Sequence, residues 1–230
     1  MAEMGVGYGS EAHLLRFLGR HRRLFDGLVI EATGLQDVEW LDFNFDPKSR
    51  WQDAEWTGLD FIEDDDLRVR WREFWPTTGT PPNWDAIGRI GDQDEASWLL
   101  VEAKANVEEL RRSTGAGTDS RKKISAAFDR VKADLGVDRD RDWLDGYYQF
   151  CLQVAVLWFL QHHGITARLM YVYFTGDRNP GFTCPQVSGE WEQPIAEMRR
   201  HVGLPENHQL SDRIHYLIVP VTGRVDGAPN

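Results

Sequence analysis

Apolar residues recur along this chain with two different periods, and the changes between them mark the elements. From Ser10, which can cap a helix, Leu14, Leu15, Phe17, Leu18, Leu24, Phe25 and Leu28 fall at roughly helical spacing, and Gly34 supplies a stop. "VEWLDFNFD" (38–46) alternates and is rich in aromatics, which predicts a strand. A stretch rich in Trp and acids follows, ending in "WPTTGTPPN", and it predicts a loop-rich excursion from the core at about 47–82. "WDAIGRIG" and "SWLLVEAKA" then read as two strands around the turn-forming "DQDE". After the loop "STGAGTDS" comes a helix with Ile124, Ala127, Phe128, Val131 and Leu135 on one face and Gly136 at its end. "DWLDGYYQFCLQVAVLWFLQHHG" is apolar almost all round and predicts a long buried helix. "ARLMYVYFTGD" reads as a strand, "EWEQPIAEMRRHVG" as a helix and "RIHYLIVPVTG" as a last strand. The order predicts a mixed α/β fold, a single domain over 1–230.

The stretch "WLLVEAKAN" (98–106) carries the chemistry. Side chains on a strand alternate faces, so Trp98, Leu100, Glu102 and Lys104 share one side and Leu99, Val101, Ala103 and Ala105 the other. Both faces begin apolar, as expected of a central strand covered on both sides. A carboxylate and an ammonium at the end of such a strand are costly unless paired or used. If 92–95 is a four-residue hairpin loop, Gly91 faces Ala96, Arg89 faces Trp98, Ile87 faces Leu100 and Asp85 faces Glu102. Two carboxylates so placed repel unless a cation lies between them. Lys104 is one candidate cation and a bound divalent metal is another, since hard ions take carboxylate oxygens.

Composition and charge change the picture in two ways. A chain of 230 residues with 41% hydrophobic and 12% aromatic side chains can bury a core, so disorder is excluded. No apolar run is long enough to span a bilayer, and the N-terminus lacks the order of a signal peptide, so no membrane partner and a cytoplasmic location are expected. Cys151 and Cys184 give neither a disulfide framework nor zinc spacing. Of the net charge of −11, residues 34–66 supply −9, through eleven acids against Lys48 and Arg50. That acidic segment (37–66) suits a protein partner, whereas "RFLGRHRR" (16–23) and "SRKK" (120–123) are the clusters able to meet phosphates.

Asp85 followed at this distance by Glu102-Ala103-Lys104 resembles the PD-(D/E)XK nuclease superfamily, the restriction-endonuclease-like fold. The elements from Ser10 to about Asp177 can be laid on that family's core of helix, three strands, helix and strand. The excursion and a helix and strand at about 190–222 are then additions. The resemblance implies a mixed central sheet flanked by helices, with Mg²⁺ or Mn²⁺ held by Asp85, Glu102 and the carbonyl of Ala103. It implies that Lys104 orients or deprotonates the attacking water and stabilises developing charge, in hydrolysis of DNA phosphodiesters, endonucleolytic or exonucleolytic. Trp84 stands where the family has a Pro, with Pro81 and Pro82 just upstream. Many relatives also place a Gln and a Tyr on the following helix. Here Asp145, Gln149 and Gln153 form one polar stripe, and Gln149 or Gln153 is expected to face the site, although the Tyr is absent. An acid on the first helix sometimes joins, and Glu11 is the candidate.

Three functions are compatible with these residues. The first is a Mg²⁺-dependent nuclease acting on DNA. The second is a binding or regulatory module that keeps the fold without catalysis, which the acidic segment favours. The third is a hydrolase of a small phosphorylated substrate. The tryptophans from Trp40 to Trp84 are expected mainly in the core, and any exposed ones could stack on splayed bases.

Overall fold

The computed structural model describes residues 7–41, 56–76, 81–90 and 97–222. A five-stranded mixed sheet runs in the order β1 (Glu39–Trp40), β4 (Ala86–Ile90), β5 (Ser97–Lys104), β6 (Ala167–Thr175), β7 (Ile214–Pro220). β4 is antiparallel to both β1 and β5, while β5, β6 and β7 are mutually parallel. Parallel neighbours need a crossover. Helices α4 (Thr118–Leu135) and α5 (Tyr148–His162) lie in the connection from β5 to β6, and α6 (Glu192–Val202) in that from β6 to β7. β5 and β6 are central strands covered on both faces, which is why "SWLLVEAK" and "ARLMYVYFT" are nearly continuous apolar runs rather than alternating ones.

The two faces have separate cores. On one, Leu99, Val101, Ala103, Met170, Val172 and Phe174 meet the N-terminal helices through Leu14, Phe17, Phe25 and Val29. On the other, Leu100, Leu169, Tyr171 and Tyr173 meet α4 and α5. α5 is buried along its length from Phe150 to Leu160, in keeping with its lack of a polar face. It begins at Tyr148, so Asp145 precedes it and the expected helical stripe reduces to Gln149 and Gln153. The Asp145 carboxylate pairs instead with Arg121.

The N-terminal helix expected from Ser10 onward is two, α1 (Ser10–Arg20) and α2 (Arg22–Thr33), with Gly34 ending the second in the left-handed conformation. Packing gives a reason. In one continuous helix, residues eight apart point about 80° apart around the axis. The break at His21 lets Phe17 and Phe25 enter the same core, both fully buried with ring centroids 5.9 Å apart.

The excursion joins the second core rather than leaving it. Its described part holds a ribbon of β2 (Trp56–Thr57) and β3 (Asn83–Trp84) and helix α3 (Asp65–Phe74), and it buries Leu59, Phe61, Ile62, Leu67, Phe74 and Trp75. Part of the acidic run is thereby explained. Asp64 caps α3 by accepting from the Leu67 N–H at 2.9 Å, and Asp65 and Asp66 lie in the first turn, where the helix dipole favours negative charge. The expected strand over 38–46 is seen only at β1, since 42–46 lies outside the described residues, as does the hairpin loop 92–95. Among the described residues no helix is long and apolar enough to cross a membrane, and Cys151 and Cys184 are free thiols.

Close approach makes a glycine necessary in β4. Gly88 lies between Trp40 and Leu99 in the sheet, and a Cβ there would stand 2.5 Å from Val38 Cγ2 and 3.4 Å from Leu99 Cβ. Gly88→Ala is expected to cost about 1–3 kcal/mol through overpacking. It should lower the urea midpoint with an unchanged slope. An unchanged midpoint would mean that Val38 gives way freely.

Candidate active site

The site forms where β4 and β5 part. The pairs Arg89 with Trp98 and Ile87 with Leu100 follow the hairpin register expected from the sequence. That register ends at Ala86 and Val101, and Asp85 departs from it. Its N–H donates to Val101 O at 3.0 Å, so Asp85 and Ala86 both oppose Val101. Two residues against one is a β-bulge, a device that re-aims a side chain. Instead of standing directly across from Glu102, the Asp85 carboxylate accepts the Ala103 N–H through Oδ2 at 2.6 Å. The cause lies one residue upstream, where Asn83 and Trp84 belong to the β2–β3 ribbon. Trp84 is fully buried and donates its indole N–H to Gly58 O at 3.0 Å. Asp85 is the pivot between the two sheets. The N–H and C=O of one strand residue leave by the same edge, so the Ala103 carbonyl faces the edge where Asp85 sits.

Glu102 and Lys104 emerge on the α5 face, 3% and 7% exposed. Glu102 Oε1 accepts from Lys104 Nζ and from Gln149 Nε2 at 2.8 Å, and Oε2 accepts from Gln153 Nε2. Lys104 Nζ also donates to Gln149 Oε1 at 3.1 Å. Both glutamines of α5 therefore reach Glu102. Burial pulls the Lys104 pKa down, but the Glu102 and Asp85 carboxylates outweigh it and hold the ammonium above its ordinary value. Tyr171 and Tyr173 pair in register with Glu102 and Lys104 on β6. Burial pushes both phenols well above their ordinary range, so they stay neutral in a dry wall beside the charges.

Asp85, Glu102, Ala103, Lys104 and Gln149 line a polar cavity of about 250 Å³ together with Ser10, Asn83, Glu108, Glu109, Arg111 and Arg112. Ser10 is the α1 residue on its wall, and Glu11 does not line it. The further acid comes from the turn after β5. Glu109 accepts from Ala105 N at 2.8 Å and from Asn106 Nδ2 at 2.7 Å, while Asn106 Oδ1 accepts from Glu109 N at 3.0 Å. Burial pushes the Glu109 carboxyl up, against the Ala105 N–H and Lys104, which pull it down. Sequence reasoning passed over this residue, although Asn followed three positions later by Glu has the form of a capping box.

The oxygens that the resemblance assigns to a hard cation, those of Asp85, Glu102 and the Ala103 carbonyl, all belong to residues lining this cavity, beside the carboxylates of Glu108 and Glu109. A carboxylate offers about four lone-pair sites. Three donors already meet Glu102, which leaves room for one more partner. Among the described residues no group of three or more His, Cys, Asp or Glu side chains is placed to hold a metal alone. Mg²⁺ does not require such a cage, since it is commonly held by one or two carboxylates with water and substrate phosphate completing its shell. The donor set fits that mode. Comparison with protein-family models, curated proteins and solved structures gives no match.

Proposed function

We propose that the protein is a metal-dependent nuclease of the PD-(D/E)XK type that hydrolyses phosphodiester bonds in DNA. The observation that carries this reading is the juxtaposition of Asp85, Glu102 and Lys104 in one recess, with the bulge turning Asp85 towards the edge of β5. The cavity wall holds Asp85, Glu102, Glu108 and Glu109 against Lys104, Arg111 and Arg112, so it is net negative and would repel a phosphodiester. A divalent ion held by Asp85, Glu102 and the Ala103 carbonyl would reverse that balance. When bound, such an ion supplies charge for the phosphoryl oxygens and lowers the pKa of its water.

The chain's own residues do the rest. Lys104 has three N–H groups, and Glu102 and Gln149 take two of them, so a third remains for a non-bridging phosphate oxygen. That placement suits stabilising charge on the phosphoryl oxygens in the transition state. Gln149 and Gln153 hold the Glu102 carboxylate in one orientation. Cleavage of supercoiled plasmid and of single-stranded DNA is expected to require Mg²⁺ or Mn²⁺ and to stop on chelation. Ca²⁺ should support binding without cleavage, because it is larger and its ligand geometry is loose. Cleavage that persists in chelator would overturn the metal-dependent reading.

One observation favours a second reading, a binding module without catalysis. The Lys104–Glu102–Gln149 network satisfies its own charges in the absence of any ion. On that reading divalent metal leaves the melting temperature unchanged and no DNA is cut.

A further inference from the structure

Beside the catalytic recess lies a second cavity of about 470 Å³, within the roughly 300–1,000 Å³ typical of small-molecule sites. It shares Asn83, Arg112 and Gln149 with the first, so its occupant would lie next to the groups that hold Glu102 and Lys104. We infer that this cavity receives an unpaired base of the DNA strand being cut, an inference that rests on the nuclease reading above. Its chemistry differs from that of the recess. Pro81, Pro82, Tyr148 and Leu152 supply apolar and flat surfaces, and Gln153 contributes a polar group to the wall. A base has the matching form, with two apolar faces and hydrogen-bonding edges, and stacking on an aromatic ring is available to every base.

Gln153 carries the argument further. It is 1% exposed, and its Nε2 donates to Glu102. A carboxylate only accepts, so the amide cannot turn round, and Oε1 is held as an acceptor pointing away from Glu102. Among the described residues Oε1 has no hydrogen-bond partner. A buried acceptor left in that state is costly; Oε1 is itself sealed from solvent, so an occupant of the cavity that Gln153 lines supplies the missing donor by shifting this side chain. Every nucleobase carries an N–H on its pairing edge. In a duplex the opposite strand occupies that edge, so only an unpaired or flipped base can offer it. Charge agrees with this choice. A chain of net charge −11 is poorly suited to gaining duplex affinity from phosphate contacts, and base stacking supplies affinity of another kind.

Gly115 allows a test that spares the catalytic residues. It lines the second cavity, its φ lies outside the left-handed region, and a Cβ added there meets no atom within 4 Å. Gly115→Trp can therefore fill the cavity, with Gly115→Ala as the control. Fluorescence polarisation with the full chain in Ca²⁺ would compare single-stranded DNA with a duplex of the same sequence, alongside a melting curve of each variant. Wild type and Gly115→Ala are expected to prefer the single strand by about tenfold, and Gly115→Trp to lose that preference while melting normally. Equal affinities in the wild type, or a preference that survives in a folded Gly115→Trp, would overturn the base pocket. Metal-dependent cleavage by the wild type is read in parallel. Cleavage without a strand preference sinks the pocket and keeps the nuclease, whereas a preference abolished by Gly115→Trp without cleavage keeps the pocket and sinks the nuclease.

Discussion

Lys104→Ala is expected to lower cleavage by about 10²–10³-fold, the loss typical of removing one preorganised group that stabilises transition-state charge. The ammonium is buried against Glu102 and Gln149, and on this reading its third N–H is the one that meets the phosphate. The same change should cost about 3 kcal/mol of stability, since it leaves a buried carboxylate without its cation. Gln149 and Gln153 still donate to Glu102, which keeps the cost near the lower end for a broken buried pair. Metal binding should survive, because Asp85, Glu102 and the Ala103 carbonyl are untouched. A divalent ion then restores the missing positive charge, so Mg²⁺ should raise the melting temperature of Lys104→Ala more than that of the wild type. Thermal melts with and without Mg²⁺, alongside single-turnover cleavage, check both halves. If the variant melts lower and gains nothing from metal, Lys104 is only the structural counter-ion of Glu102.

Asp85→Asn should act on the opposite term. An asparagine oxygen can still accept the Ala103 N–H, so the bulge and the fold are expected to persist. What disappears is one of two carboxylates offered to the ion. Metal affinity should fall by at least the roughly 10–100-fold that loss of even an outer-shell partner costs. Cleavage at low metal concentration should vanish, and high Mn²⁺ should restore it in part. Calorimetric titration of Mn²⁺ into wild type and variant reads this directly. Equal affinities would remove Asp85 from the metal site.

The sequence carried the sheet face and most of the register. Alternation along β5 placed Glu102 and Lys104 on one side, and hairpin counting paired Ile87 with Leu100. The four-residue spacing of Gln149 and Gln153 brought both to Glu102, because that period is a property of any helix. The departures arise where tertiary packing overrides local pattern. Nothing near Asp85 announces a bulge, since its cause is the pairing of Asn83 and Trp84 with Thr57 and Trp56, distant in sequence. Glu11 looked available because it opens α1, yet the way that helix docks puts Ser10 on the cavity wall. Asp145 kept the helical spacing but precedes the helix. The tryptophan-rich excursion looked like loop because its Gly, Pro and acidic residues mask the apolar positions of α3, which bury Leu67 and Phe74.

Nicking of supercoiled plasmid in Mn²⁺ by wild type, Asp85→Asn and Lys104→Ala, purified in parallel, tests the central claim most directly. The wild type is expected to convert the plasmid to open-circular or linear form, with no conversion in chelator. Both variants should remain folded and be slower by about a hundredfold or more. No cleavage by the wild type with any divalent ion, or equal cleavage by all three proteins, would contradict a nuclease site built on Asp85, Glu102 and Lys104.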